Sequence, residues 1–233
     1  ISHRGNNNDG LYLFASGSDV YVTGTIFRGQ YNFPDYIPVV WKNGIQQNLN
    51  LRSGSTAATA YSIYVAGSDV YVVGIEDGYG ATLWKNGVPT SLNNGANSKA
   101  HSVFVYGSDV YVTGWEFTGG KEYVILWKNN VPTRLTDGTR QVAANSVFVS
   151  DGDVYVAGYD GDVITLWKNN TPTRLGSNYG DARSVFVVGN DVYVLGDEEI
   201  GSSWSAITLW KNSMPTRLTN GSNMANANSL AVK

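Results

Sequence analysis

The chain contains no cysteine, which excludes disulfide frameworks, thiol nucleophiles, iron–sulfur clusters and cysteine-bound zinc. Only two histidines occur, His3 and His101, so neither a histidine metal cluster nor a His-based catalytic triad is expected. No apolar run reaches the roughly 18 residues of a membrane-spanning helix. Charge is scarce: 15% of the 233 residues are ionisable, with 16 basic against 19 acidic. The net charge of −3 has the wrong sign for a groove that neutralises phosphates, which argues against a nucleic-acid partner. No cofactor is expected, and a calcium held by loop carboxylates and carbonyls has no motif behind it. No secretory signal pattern opens the chain, so the sequence is read as starting beyond any targeting segment. Abundant Asn, Gly, Tyr and Trp with few charges point to a secreted, periplasmic or bacterial-surface protein.

What the chain does have is an internal repeat. Asp-Val-Tyr-Val occurs at Asp19, Asp69, Asp109, Asp153 and Asp191, each time followed by a glycine five residues after the aspartate: Gly24, Gly74, Gly114, Gly158 and Gly196. Trp-Lys-Asn occurs at Trp41, Trp84, Trp127, Trp167 and Trp210, with a leucine eight residues on at Leu49, Leu92, Leu135, Leu175 and Leu218. The two blocks alternate, and the tryptophans are 43, 43, 40 and 43 residues apart. A period of this size indicates an array of similar small units.

Each unit reads as four short strands, a to d. Ser102-Val103-Phe104-Val105 and Asp109-Val110-Tyr111-Val112 typify strands a and b, in which β-branched and aromatic residues alternate. A Gly-Ser-Asp turn joins them. Strand c ends in Leu-Trp-Lys, Asn86-Gly87 supplies a type I′ turn, and strand d carries Pro89, which lacks an N–H and so marks a sheet edge. Four-stranded sheets with such an edge are propeller blades. The expected fold is therefore all-β: a five-bladed β-propeller of four-stranded antiparallel blades at about 11–52, 60–93, 100–136, 144–176 and 182–219, behind a tail over 1–10. The repeated tryptophans are expected to pack between blades, and the repeated aspartates to accept backbone N–H groups at tight turns.

The a–b hairpin, Ser-Val-Phe-Val, a turn, Asp-Val-Tyr-Val and glycine, resembles the first half of a kelch repeat. The whole chain, from residue 11 to 232, resembles short-repeat five-bladed β-propellers. Where kelch repeats usually place a second glycine after strand b, this chain has Gly-Thr, Gly-Ile, Gly-Trp, Gly-Tyr and Gly-Asp. The cysteine-linked tyrosine of kelch-type copper oxidases is out of reach without cysteine. The resemblance implies an architecture and no particular activity.

Ala227-Asn228-Ser229-Leu230-Ala231-Val232 is a sixth copy of strand a, matching Ala60, Ala100, Ala144 and Ala182 with their following serines better than Leu11-Tyr12-Leu13-Phe14 does. It is expected to complete the first blade and close the ring, leaving Leu11–Phe14 elsewhere, as an added strand or in a strand-swapped dimer. The rival is a six-bladed parent.

The a–b and c–d turns are nearly uniform, whereas the b–c and d–a loops vary, and binding is expected on the variable face. Three residue sets point there. Between the Ala and Ser of strand a the repeats diverge: Tyr61, His101, Asn145, Arg183 and Asn228 form a ring of different polar groups suited to an asymmetric small ligand. The aromatic set is Phe27, Tyr31, Phe33, Tyr36, Tyr79, Trp115, Phe117, Tyr159 and Trp204, offering platforms of the kind sugar rings need. Glu76, Glu116, Asp160 and Glu198 form an acidic set two residues after the strand-b glycine.

Propeller glycosidases place an acid and a base about 5–10 Å apart across one bond. Strand a, read as Ser-Val-Phe-Val, carries no acid. The favoured reading is a non-enzymatic, lectin-like module binding a glycan or a partner protein. A glycoside-active enzyme using loop carboxylates such as Glu116 and Glu198, and a repeat scaffold for assembly, stay open beside it.

Overall fold

The alternation of branched and aromatic residues becomes strand throughout the computed structural model, which describes residues 12–28, 35–93, 97–176, 179–200, 204–221, 225 and 227–231. Among the described residues, twenty strands form five four-stranded antiparallel sheets, each in sequence order. Blade 1 comprises β1 (Tyr12–Ser16), β2 (Asp19–Arg28), β3 (Asp35–Lys42) and β4 (Ile45–Asn48). Blade 2 comprises β5 (Ala58–Ala66), β6 (Asp69–Glu76), β7 (Gly80–Lys85) and β8 (Val88–Ser91). Blade 3 comprises β9 (Ser98–Tyr106), β10 (Asp109–Thr118), β11 (Lys121–Lys128) and β12 (Val131–Arg134). Blade 4 comprises β13 (Val142–Ser150), β14 (Asp153–Asp160), β15 (Val163–Lys168) and β16 (Thr171–Arg174). Blade 5 comprises β17 (Gly180–Val188), β18 (Asp191–Ile200), β19 (Trp204–Lys211) and β20 (Met214–Arg217). The chain divides into two compact units, Ile1–Ala96 with blades 1 and 2, and Asn97–Lys233 with blades 3 to 5.

The turns follow their chemistry. Asn86 and Gly87 both have positive φ, as a type I′ turn requires, and in blades 2 to 5 the proline-bearing strand d lies at a sheet edge, whereas blade 1 has no proline in β4 and carries Pro38 within the interior strand β3. The repeated aspartate works differently from the backbone-accepting role expected of it. In every blade its Oδ1 accepts from the Asn side chain of the c–d turn, as Asp109 does from Asn129 Nδ2 at 2.7 Å, and its Oδ2 pairs with the adjoining lysine, Lys128, at 2.8 Å. The backbone N–H of the following valine, Val110, instead donates to Asn129 Oδ1 at 2.9 Å. The two tight turns of each blade are thus stapled side chain to side chain. The lysine bond, then the asparagine bond, holds each of these carboxyls below its usual range.

The tryptophans pack between sheets. Trp84 shares a cluster with Tyr21, Val40 and Leu49 of blade 1; Trp167 packs with Tyr111 and Val124 of blade 3, and Trp210 with Tyr155 and Leu175 of blade 4. Leu49, Leu135 and Leu175, which follow strand d in blades 1, 3 and 4, are therefore covered by the next blade.

Two features depart from expectation. Strand a is longer than read: β9, for example, begins at Ser98 and not at Ser102. A β-bulge lies where the sequence reads Ala-x-Ser. Ala144 pairs Gly158 and Ser146 pairs Ala157, leaving Asn145 extra, and Tyr61, His101 and Arg183 occupy the same place in their blades. The bulge pushes a carbonyl onto the strand-b glycine: a Cβ on Gly158 would lie 2.0 Å from Ala143 O, and one on Gly74 1.9 Å from Thr59 O. That close approach accounts for the glycine of strand b in blades 2 to 5, Gly74, Gly114, Gly158 and Gly196.

The second departure concerns the first blade. Its inner edge is taken by β1, with Tyr12 opposite Thr23 and Ser16 opposite Asp19, and not by the C-terminal copy. Residues 227–231 form no strand; Leu230 N donates to Ser184 Oγ on β17 at 3.3 Å. A continuous local hairpin holds β1 in place. Val232 and Leu11 lie outside the described residues.

Candidate functional site

The bulge re-aims one side chain per inner strand, and in the second unit these side chains link neighbouring blades. A carbonyl only accepts, so His101 Nδ1 carries the proton it donates to Ala144 O at 3.1 Å. Asn145 Nδ2 donates to Ala182 O at 2.9 Å and to Asp181 Oδ1 at 2.6 Å. Arg183 breaks this pattern. Its guanidinium lies between two carboxylates, with Nη1 3.1 Å from Asp181 Oδ2 and Nε 3.1 Å from Asp197 Oδ1. Asp181 and Asp197 face each other across the β17–β18 ladder.

Asp181 corrects the reading that inner strands carry no acid. It lies outside the Ser-Val-Phe-Val run read as strand a, which starts at Ser184 in this blade, because the bulge lets pairing continue to Gly180. A signal was present: the residue before the repeated alanine also varies, as Thr59, Lys99, Ala143 and Asp181. Opposite these stand Ile75, Trp115, Tyr159 and Asp197. Trp115 is partly buried with Lys99 Nζ 5.8 Å from its ring centroid. Tyr159, half-buried, is raised above its usual pKa first by burial and then by the charge of Asp181.

Charge is perturbed in opposite senses here. Burial, with the charge of Lys99 adding and the Ala144 carbonyl opposing, lowers His101 to about 4 from 6.5. Burial, with Asp197 adding and Arg183 and Asn145 opposing, raises Asp181 from 3.8 to about 6. Between about pH 6.5 and 4 unfolded chains protonate His101 before folded ones do, so stability falls as pH falls. Between about pH 4 and 6 the folded state holds the Asp181 proton that the unfolded state has lost, so stability falls as pH rises. Each effect is on the order of 3 kcal/mol, and in the parent they offset one another. His101→Asn is therefore expected to melt lower as pH rises through this window, and Asp181→Asn to melt lower as pH falls. Melting curves across the window check this; slopes of one sign in both variants contradict the assignment.

The acidic set is tied up by arginines. Glu76, fully buried, takes Arg52 Nε and Nη2 on Oε2, both at 2.8 Å, and the Arg52 guanidinium also lies 4.2 Å from the Tyr79 ring centroid. Tyr79 OH donates to Ser53 O at 2.6 Å. Glu116 pairs with Arg134 at 3.1 Å, Asp160 with Arg140 at 3.4 Å, and Glu198 with Arg217 at 3.8 Å. Glu116 and Glu198, expected in loops as acid and base, lie instead within β10 and β18, because strand b runs past its glycine, and they are ion-paired groups on separate blades. A cavity of about 480 Å³ beside Glu198 is lined by Leu175, Gly176, Trp210, Pro215 and Arg217.

Of the remaining candidates, Tyr61 sits in the β5 bulge, partly buried, and Asn228 is exposed on the C-terminal segment. Trp204 opens β19 opposite Ile200, and its side chain lies outside the described residues, as do Tyr31 and Phe33. Phe27 and Tyr36 pack edge to face across β2 and β3, with centroids 5.7 Å apart. The second unit therefore brings together His101, Asn145, Arg183 and Tyr159 with the unforeseen Asp181 and Asp197.

No family model matches the chain, kelch repeats included, and no curated protein sequence matches it. Solved structures do. A putative TolB from Agrobacterium tumefaciens aligns with a TM-score of 0.57 at 11% identity, over 90% of this chain and 80% of that one. The computationally designed Ika8 protein aligns at 0.48 and 15%, over 96% and 90%, and an exo-1,5-alpha-L-arabinanase from a bovine ruminal metagenomic library at 0.42 and 11%, over 70% and 73%. With five four-stranded antiparallel sheets in sequence order, the likeness to the TolB structure identifies the fold of this chain as a β-propeller.

Proposed function

We propose that the chain is a non-enzymatic binding module, taking a glycan at the inner-strand ends of blades 4 and 5. The observation that carries this reading is Arg183, set between Asp181 and Asp197 and about a quarter exposed, with side-chain accessibility of 29%. A five-donor fork beside carboxylate acceptors matches vicinal hydroxyls, which donate and accept from adjacent carbons. Tyr159 adds an aromatic face with a polar rim beside Asp181. Trp115 supplies a second platform in blade 3. A secreted, periplasmic or bacterial-surface location accords with such a ligand and with the scarcity of charge.

A second reading rests on the same pair of carboxylates. Asp181, whose carboxyl burial raises to about 6, faces the Asp197 carboxyl across the β17–β18 ladder, and a carboxyl that holds its proton beside a second carboxyl is the arrangement a glycoside-cleaving pair needs. Binding of the labelled chain to a glycan array decides between them. Binding that drops at least tenfold in Arg183→Ala and Tyr159→Ala, with no sugar released, supports the module. Release of reducing sugar that disappears in Asp181→Asn moves the assignment to the enzyme, and an array without signal removes both in favour of a scaffold.

A further inference from the structure

Arg183 is one cation for two carboxylates, and the same unit brings up a third. Asp181 and Asp197 face each other across β17 and β18, and the guanidinium of Arg183 lies 3.1 Å from each. Asp181 turns toward blade 4, where Asn145 Nδ2 donates to it at 2.6 Å. Tyr159, in the same blade as Asn145, is raised first by burial and then by the charges of Asp181, Tyr179 and Glu122, with Arg183 opposing. The charge of Glu122 thus reaches Tyr159 from blade 3, where Glu122 stands opposite Phe117 on the face that also carries Trp115. Nearby arginines are committed elsewhere, Arg134 to Glu116 and Arg140 to Asp160, and Glu122 enters no ion pair among the described residues. All of these residues belong to blades 3 to 5, a single compact unit.

Three carboxylates therefore stand against one guanidinium beside an aromatic ring, and the group is short of positive charge. Asp181 makes up part of the deficit by holding a proton up to about pH 6, burial being the first cause and the charge of Asp197 adding to it. A metal ion does not suit the gap: among the described residues no three histidine or carboxylate groups come close enough to hold one. A protonated amine does suit it, because an ammonium donates three hydrogen bonds and is drawn to an aromatic face. We propose that the glycan taken at this site is an amino sugar with a free amine, its ammonium bound between Asp181 and the ring of Tyr159 while the adjacent hydroxyl meets Arg183. The inference rests on the glycan reading of the site and names the sugar class. Binding then releases the proton that Asp181 holds, so affinity for an aminated glycan rises as pH rises toward about 6 and levels off above it.

The test is an array of matched sugars that carry a free amine, an N-acetyl group or a hydroxyl at one carbon, probed with the full chain from about pH 5 to 7. At the upper end the aminated member is expected to bind about tenfold more tightly than the other two. Only its binding is expected to strengthen as pH rises from about 5 to 6, by up to about tenfold for one proton released. Asp181→Asn keeps the shape of the group without its charge, and is expected to bring the ratio of aminated to acetylated binding near one and to abolish the pH dependence. Glu122→Gln is expected to lower that ratio severalfold, and both variants to keep the parent circular dichroism. Glycans bound without preference for the amine, or a preference that survives Asp181→Asn, would overturn the inference and leave the glycan reading standing. A lysine peptide bound as tightly as the aminated sugar overturns the sugar assignment, and an array silent at every pH removes the inference together with the reading beneath it.

Discussion

Arg52→Ala is expected to destabilise the unit of blades 1 and 2 by about 3–5 kcal/mol, the range for removing one partner of a buried ion pair. Glu76 is fully enclosed and its second oxygen is held by two guanidinium nitrogens at 2.8 Å, so truncation leaves a carboxylate cut off from both its counter-ion and water. The same change strips Thr82 Oγ1 of its 2.6 Å bond from Arg52 Nη2 and uncovers the Tyr79 ring. A drop in melting temperature on the order of 10 °C follows for a chain of this size. Arg52→Lys keeps charge without the planar fork and is expected to fall between parent and alanine. The double change Arg52→Met with Glu76→Leu removes both charges and is expected to recover most of the loss. If it melts no higher than Arg52→Ala, the cost lies in packing and not in the stranded charge.

Gly158→Ala tests the bulge. The new methyl would sit 2.0 Å from Ala143 O and 2.8 Å from Ala144 Cα, and because both are backbone atoms no rotamer change relieves the overlap. Only loss of the bulge does, and that releases Asn145 from Ala182 and Asp181. The expected cost is about 3 kcal/mol, the upper end of ordinary overpacking. Amides of β13 and β14 should lose hydrogen-exchange protection ahead of β9 and β10. Gly196, with 2.4 Å to the nearest backbone atom, is expected to tolerate alanine better than Gly158 or Gly114, at 1.9 Å. Equal melting of the parent and Gly158→Ala would show that the glycine is retained for another reason.

These two sites differ in how far the sequence announced them. Gly158 stands in every repeat, and its spacing from Asp153 was visible at once, though its reason was not. The Arg52 pairing was invisible. Arg52 lies 24 residues before Glu76, in a loop with no counterpart of fixed spacing, and acids at the same repeat position meet arginines from different places: Arg134 from β12 for Glu116, Arg140 from the following loop for Asp160. A period reveals only what every repeat shares. Glu116 and Glu198 do meet the same repeat position, the arginine that ends strand d, but the loop-borne Arg52 and Arg140 have no such counterpart, so the acids read as available for chemistry when they are spent on ion pairs.

The candidate site shows the same division. Varied residues between Ala and Ser marked His101, Asn145 and Arg183 as special, since a scaffold that agrees on both neighbours has no packing reason to vary between them. Their partners were out of sight, because Ala144 O and Ala182 O belong to the next blade. Asp181 was hidden by a strand boundary that only the bulge explains.

The sequence by itself determined the unit: its length, four strands, turn types and, in blades 2 to 5, the edge prolines, all of which depend on residues within one repeat. The tertiary structure alone decided which strand holds the edge of β2, which carboxylates are neutralised, and which blade covers each buried tryptophan within a unit. Local propensity and turn chemistry act over a few bonds and leave a mark on every copy. Ion pairs and blade contacts join residues far apart in the chain, and their formation depends on what the neighbouring blade presents. The absence of cysteine and the scarcity of charge excluded whole classes of chemistry from the outset, and the fold sets the repeated aspartates and the acids near the strand-b glycines against lysines and arginines.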